Sequence, residues 1–208
     1  MVEARHLGLR DDGGWSFRNF NLTVRPGELV ALVGPEDGRS QLLRTLAVLV
    51  MPTEGTLRIC GHPVPQAADA ARAQLVLAQL PAAARSDPSI SVRECVEAHL
   101  DTSALPADLF EAAAALVGFV ADRDAPVGTL APLQRKGLEL ALAVTVPIEL
   151  ILIDSVDADL APEDRATIWS ALRAVVRTGI ALIAGTAHTT SRADTVVEVP
   201  SGSPEPTG

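Results

Sequence analysis

Seven consecutive residues, Gly34-Pro35-Glu36-Asp37-Gly38-Arg39-Ser40, separate an apolar run, Leu29–Val33, from a stretch opening at Gln41. In that stretch Leu42, Leu43, Leu46, Leu49 and Val50 recur at helical spacing. A strand, a glycine-containing loop and a helix in this order have the layout of a phosphate-binding loop. Glycines let backbone N–H groups approach phosphate oxygens, the helix N-terminus adds a favourable dipole, and a lysine reaches the outer phosphates. The spacing is one residue short of G-x-x-x-x-G-K-[ST], and Arg39 stands in the lysine place. An ordinary strand-to-helix turn reads about as well from these residues alone. Asp154 closes a second apolar run, Leu150–Ile153, which brings its carboxylate out at a strand end.

The elements that must position these groups follow from pattern. Phe17–Val24 reads as a strand, Arg25–Glu28 as a turn and Leu29–Val33 as a buried strand. A helix is predicted over Ser40–Val50, then strands over Thr56–Cys60 and Gln74–Gln79. From about 81 to 130 the character changes to a helical insertion, with helices over Ser91–Leu100 and Ala107–Ala121. Further helices are predicted over Gln134–Val146 and Ala161–Thr178, with strands at Leu150–Ile153, Ile180–Ala184 and Thr195–Val199. Apolar strands alternating with helices imply a largely parallel sheet with covering helices. Residues 1–199 are expected to form one domain, and 200–208, rich in proline and glycine, a disordered tail.

Composition narrows the function classes. The 208 residues carry 26 acidic and 17 basic side chains, a formal net charge of −9, which argues against a nucleic-acid binder. Aromatics make up 3% and tyrosine is absent, so a base-stacking platform is not expected. Cys60 and Cys95 have neither pairing spacing nor a histidine companion, which points away from disulfides or zinc and toward a reducing compartment. No apolar run is long enough to span a bilayer. A cytoplasmic location is expected. Of the 17 basic residues 16 are arginine, and Lys136 is the one lysine.

The chain resembles the nucleotide-binding subunit of ATP-binding cassette (ABC) transporters from Val2 to about Val199. FRNFNLTVRPGELVALVGPEDGRSQLLRTL (17–46) is similar to the family's first strands, phosphate loop and helix, and LVLAQ (75–79) to the strand ending in the Q-loop glutamine, Gln79. MPTEGTLRICG (51–61) looks like the link back to an antiparallel sheet, and SISVRECV (89–96) like the opening of the helical subdomain. VGTLAPLQRKGLELALAV (127–144) sits where the family has its LSGGQ signature, and ELILIDSVDADLAPEDRATIW (149–169) where it has the Walker B strand and D-loop. The resemblance implies an α/β fold, namely a P-loop NTPase core with an antiparallel β-subdomain and a helical insertion.

It also implies roles for residues. Gly34, Pro35, Glu36, Asp37, Gly38, Arg39, Ser40, Gln41 and Gln79 would hold ATP, with Ser40 and Asp154 on Mg²⁺. Yet the family's chemical groups are altered. Arginine is a planar fork in a place built around a compact ammonium. Glu36 and Asp37 would each repel a phosphate charge by roughly 3 kcal/mol at about 5 Å and an effective dielectric of about 20. Ser155 occupies the general-base position and has no basic oxygen at neutral pH. Leu130-Ala131-Pro132-Leu133-Gln134 lacks the signature serine and glycines, and Pro132 is suited to starting a helix. Asp157 and Asp159 fall off the motif and read as solvated loop carboxylates. The switch histidine's place falls on Ala187, or on His188 with a one-residue shift. Trp15 lies near the family's adenine-stacking position but reads as a sheet-packing residue.

Two functions remain. One is a degenerate pseudo-ATPase that binds ATP weakly and acts as a structural or regulatory subunit. The other is an active ATP-hydrolysing subunit energising transmembrane transport. Either way the resemblance implies transmembrane permease subunits as partners, met through Gln79 and the helical insertion at the inner face of the membrane. A second, intact cassette is a further partner, and nucleic acid is not.

Overall fold

The computed structural model describes residues 1–11, 13–106, 108–188 and 192–200. Their elements are, in order, β1 (Val2–Asp11), β2 (Gly14–Val24), β3 (Leu29–Val33), α1 (Glu36–Leu46), β4 (Glu54–Ile59), β5 (His62–Val64), α2 (Ala68–Arg72) and β6 (Leu75–Ala78). There follow α3 (Ala82–Ser86), α4 (Val92–Ser103), α5 (Asp108–Val117), α6 (Pro132–Thr145), β7 (Leu150–Ile153), α7 (Pro162–Val176), β8 (Ala181–Thr186) and β9 (Thr195–Glu198). Residues 201–208, most of the tail expected to be disordered, lie outside the described residues, as does Ala107.

The strands form two sheets. One is antiparallel, ordered β2-β1-β4-β5, and the other is parallel, ordered β6-β7-β8-β3-β9. Successive side chains leave a strand on opposite faces, and in β3 both faces are covered. Val30 and Leu32 join a core shared with α1 (Leu42, Leu43, Leu46) and the antiparallel sheet, so α1 is clasped between the two sheets. Leu29 and Ala31 face the second core, built by α4, α5, α6 and α7. The unbroken apolar runs of β3, β7 and β8 are what a sheet buried on both faces requires.

The helical segment between β6 and α6 is held by local chemistry as well as burial. Ser91 caps α4 by accepting from the Glu94 N–H (3.1 Å), while the Glu94 carboxylate accepts from the Ser91 N–H (2.7 Å). Phe110 meets Phe119 edge-to-face at 6.1 Å, and the Arg123 guanidinium lies 4.4 Å over Phe110. Among the described residues no helix is long and apolar enough to cross a membrane.

Most boundaries differ from expectation by a few residues at element ends. The departure that matters is α1, expected from Ser40, which begins at Glu36.

His99 on α4 packs against the C-terminal turn of α6, with its Nε2 2.9 Å from the Thr145 hydroxyl. Burial holds its pKa below the ordinary histidine value, against a smaller opposing effect of a hydrogen bond to the Leu142 backbone. The unfolded chain therefore binds the proton more readily, so this contribution to stability is whole above about pH 6.5 and is lost as pH falls through the folded-state value. The urea midpoint should be lower at pH 5 than at pH 7, and His99→Gln should shrink that difference. An unchanged pH difference in the variant would assign it to other groups.

Candidate functional site

The carboxyl ends of β3, β7 and β8 converge on one side chain. Arg39, on the first turns of α1, is 2% exposed. Its Nε donates to Asp154 Oδ1 (3.4 Å), one terminal nitrogen to the Gly34 (3.0 Å) and Thr186 (3.2 Å) carbonyls, and the other to Ser155 Oγ (3.0 Å). The other oxygen of Asp154 accepts from Ser40 Oγ at 2.5 Å. Space for the guanidinium exists because position 185 on β8 lacks a side chain. A Cβ at Gly185 would lie 3.0 Å from the Arg39 Cδ and 2.9 Å from Asp154 Oδ1.

This geometry corrects the expected phosphate loop. Only Gly34 and Pro35 connect β3 to α1. Glu36, Asp37, Gly38, Arg39, Ser40 and Gln41 are helical, and the Arg39 N–H already donates to the Pro35 carbonyl at 3.0 Å. The physical reason is local. Pro35, at the N-cap, has no N–H to leave unmet, and two acids in the first turn complement the helix dipole. Pro-Glu-Asp was a readable helix-start signal. Arg39 turns inward, not out toward a ligand.

Ser155 is committed to the same cluster. It sits at φ +47°, an uncommon conformation for a residue with a side chain, between the Arg39 contact and the bond of the Val156 N–H to the Gly185 carbonyl (2.9 Å). The residues expected on Mg²⁺ do not fit that ion as arranged. The Ser40 hydroxyl and Asp154 bond each other directly, and the remaining carboxylate oxygen faces a cation already present. Among the described residues no group of three His, Cys, Asp or Glu side chains is spaced to hold a metal. Gln79 is exposed, with its amide oxygen accepting from Arg85.

The segment in the signature position is closed by its own residues. Pro132 opens α6 without an N–H, and Gln134 spans back, accepting from the Ala131 N–H (3.1 Å) and donating to the Val120 carbonyl (3.1 Å). Trp15 lines a cleft of about 520 Å³ over α1 together with Gly14, Asp37, Ser40, Gln41 and Arg44. Its ring carries the Arg18 guanidinium at 4.4 Å and that of Arg10 at 5.7 Å, and its buried Nε1 has no hydrogen-bond partner among the described residues.

Asp157 contradicts its reading as a solvated carboxylate, being 1% exposed. It accepts from the Thr186 hydroxyl (2.7 and 2.8 Å) and the Trp169 indole N–H (3.3 Å), and the His188 Nδ1 lies 3.7 Å away. Asp159, by contrast, is exposed as expected. Sequence reading also missed Lys136, whose ammonium donates to Glu139 (3.0 Å) and to the Asp154 carbonyl (3.2 Å), tying α6 to the end of β7. An isolated lysine on a helix carries no sequence signal of such a partner.

A parallel five-stranded sheet, an antiparallel sheet clasping α1 and a helical insertion together define an α/β P-loop NTPase fold of the ABC ATPase type. The ABC transporter family matches residues 17–158, and the chain belongs to it. Nod factor export ATP-binding protein I of Cupriavidus metallidurans is 32% identical over 166 residues, covering 77% of this chain and 54% of that one. Its counterpart in Burkholderia pseudomallei is 30% identical over 187 residues, covering 86% and 58%. The chain thus spans little more than half the length of the curated relatives it matches. Among solved structures, the ATP-binding cassette MJ0796 as a dimer with ADP and Pi superposes with TM-score 0.79 at 18% identity, over 97% of this chain and 95% of that one. The cbiO1 protein of Clostridium perfringens, part of the transporter complex cbiONQ, gives 0.80 at 20% over 97% and 85%.

Removing the Asp157 carboxylate strands the Trp169 indole N–H, whereas the Thr186 hydroxyl can still donate to the His188 carbonyl (3.1 Å). An unsatisfied buried donor costs roughly 1–3 kcal/mol. Asp157→Ala should therefore lose roughly 1–3 kcal/mol in urea unfolding. An unchanged midpoint would show that Asp157 is not the anchor of this corner.

Proposed function

We propose that the chain is a nucleotide-binding-domain subunit of an ABC transporter that does not itself turn over ATP. It acts as a structural or regulatory subunit on transmembrane permease subunits. The observation that carries this reading is the start of α1 at Glu36. Where the layout would offer a cradle of amides, the chain offers one complete helical turn and two exposed carboxylates. Ser155 adds to it, since its hydroxyl is held by Arg39 and lacks the basicity to draw a proton from water. In this reading residues 1–199 form one cassette, with the insertion at about 81–130 and Gln79 meeting the permease, and 200–208 form a tail. His188 beside Asp157 takes the place of the switch histidine without a γ-phosphate to sense.

The active alternative is favoured by the names of the relatives, which are ATP-binding proteins. It requires the first turn of α1 to unwind and Arg39 to leave its burial. Steady-state assays decide between the two. Turnover should be negligible against the ordinary enzyme scale of about 1–10³ s⁻¹. A rate on that scale that Asp154→Asn abolishes overturns the proposal.

Assembly gives a second test. A nucleotide shared between two cassettes needs a phosphate cradle on one and free donors on the other. Here the first is helical and the second is closed by Pro132 and Gln134. Sedimentation should show the same oligomeric state with and without Mg-ATP. A nucleotide-dependent shift from monomer to dimer counts against the reading.

A further inference from the structure

The Asp154 carboxylate and the Ser40 hydroxyl stand where the fold family places a divalent cation, yet they are arranged around a positive charge of the chain's own. We infer that the Arg39 guanidinium is a resident substitute for that cation, a permanent counter-ion that makes the strand-end site independent of metal. The inference deepens the preceding proposal, since it takes these strand ends as the family's nucleotide side.

Three observations carry it. First, the guanidinium is held on several sides in the manner of a structural ion. Four of its hydrogen-bond contacts reach four different residues on three strand ends, Asp154, Ser155, Gly34 and Thr186. A guanidinium has five N–H donors, so little of its capacity is left over. Second, its place is built in. Gly185 is the position at which any side chain would collide with both Arg39 and Asp154. Third, charge balances locally. Asp154 is the one carboxylate in contact with the buried guanidinium among the described residues, and Ser40 satisfies its other oxygen. A divalent ion entering here would meet the guanidinium head-on, and displacing it would leave a buried cation without a partner.

Mn²⁺ alone is the probe, followed by electron paramagnetic resonance on the full chain without nucleotide. The spectrum should remain that of the free aqua ion at stoichiometric metal. Thermal melting of Asp154→Asn is the second measurement. Neutralising a carboxylate of a vacant metal site relieves crowding and raises stability, whereas neutralising the counter-ion of a buried guanidinium lowers it. The variant should melt several degrees below the parent, and Mg²⁺ should move neither curve. Stoichiometric Mn²⁺ binding by the parent, or a variant melting at or above it, overturns the inference. Neither measurement contains nucleotide. A chain that hydrolyses ATP yet behaves as described refutes only the preceding proposal, and one that takes up Mn²⁺ while hydrolysing nothing refutes only this one.

Discussion

A buried guanidinium is tolerable only if its donors are met, and the ends of three strands are placed to meet those of Arg39. The Gly34 carbonyl comes from the end of β3, Asp154 and Ser155 from that of β7, and the Thr186 carbonyl from that of β8. Strand ends normally splay into loops whose backbone groups turn to water. Here one rigid planar cation collects them, and α1 that carries it is drawn into contact with the sheet. Breaking such a buried pair from one side costs about 3–5 kcal/mol, because the partner charge is left stranded. That is a large share of the total stability of a domain, so the cluster is a structural centre of the fold.

The same corner is braced from further sides. Lys136 brings α6 to the Asp154 carbonyl, and Trp169 brings α7 to Asp157. Thr186 joins the two networks, since its carbonyl accepts from Arg39 while its hydroxyl donates to Asp157. The turn after β7 is therefore reached by α1, α6, α7 and β8 at once. Where a bound ligand would order such a turn, side chains of the protein itself do so, and Ser155 at φ +47° is held in place by them.

Much of this was legible in the sequence, and what was not has a common cause. The apolar runs at 29–33 and 150–153 identified the central strands because a sheet buried on both faces leaves no polar position. The stretch at 130–134 was readable as a helix start because proline lacks a donor. The direction of Arg39 and the burial of Asp157 were not readable. A long side chain chooses between solvent and interior according to partners remote in sequence, here 115 residues away for Arg39 and 29 for the Asp157–Thr186 bond. The start of α1 was missed for a different reason. The phosphate-loop layout and the Pro-Glu-Asp helix signal compete over the same residues, and in the fold local propensity prevails.

That competition has an energetic logic. Asp and Glu in a first helical turn each stabilise the helix by about 0.3–1 kcal/mol through the dipole. Beside a phosphate the same two charges are repulsive. Shortening the connection to Gly34-Pro35 acts in the same double sense, since it removes the amides a phosphate would use and spares the entropy of ordering a longer loop. Replacing lysine by arginine exchanges a mobile point charge for a fork that locks onto carbonyls and a carboxylate within the protein. Each change improves the fit of local sequence to fold while worsening the fit of the site to an anionic ligand. In the proposed reading the corner is not required to serve nucleotide, and substitutions that fill it with the chain's own side chains are then favoured by stability alone.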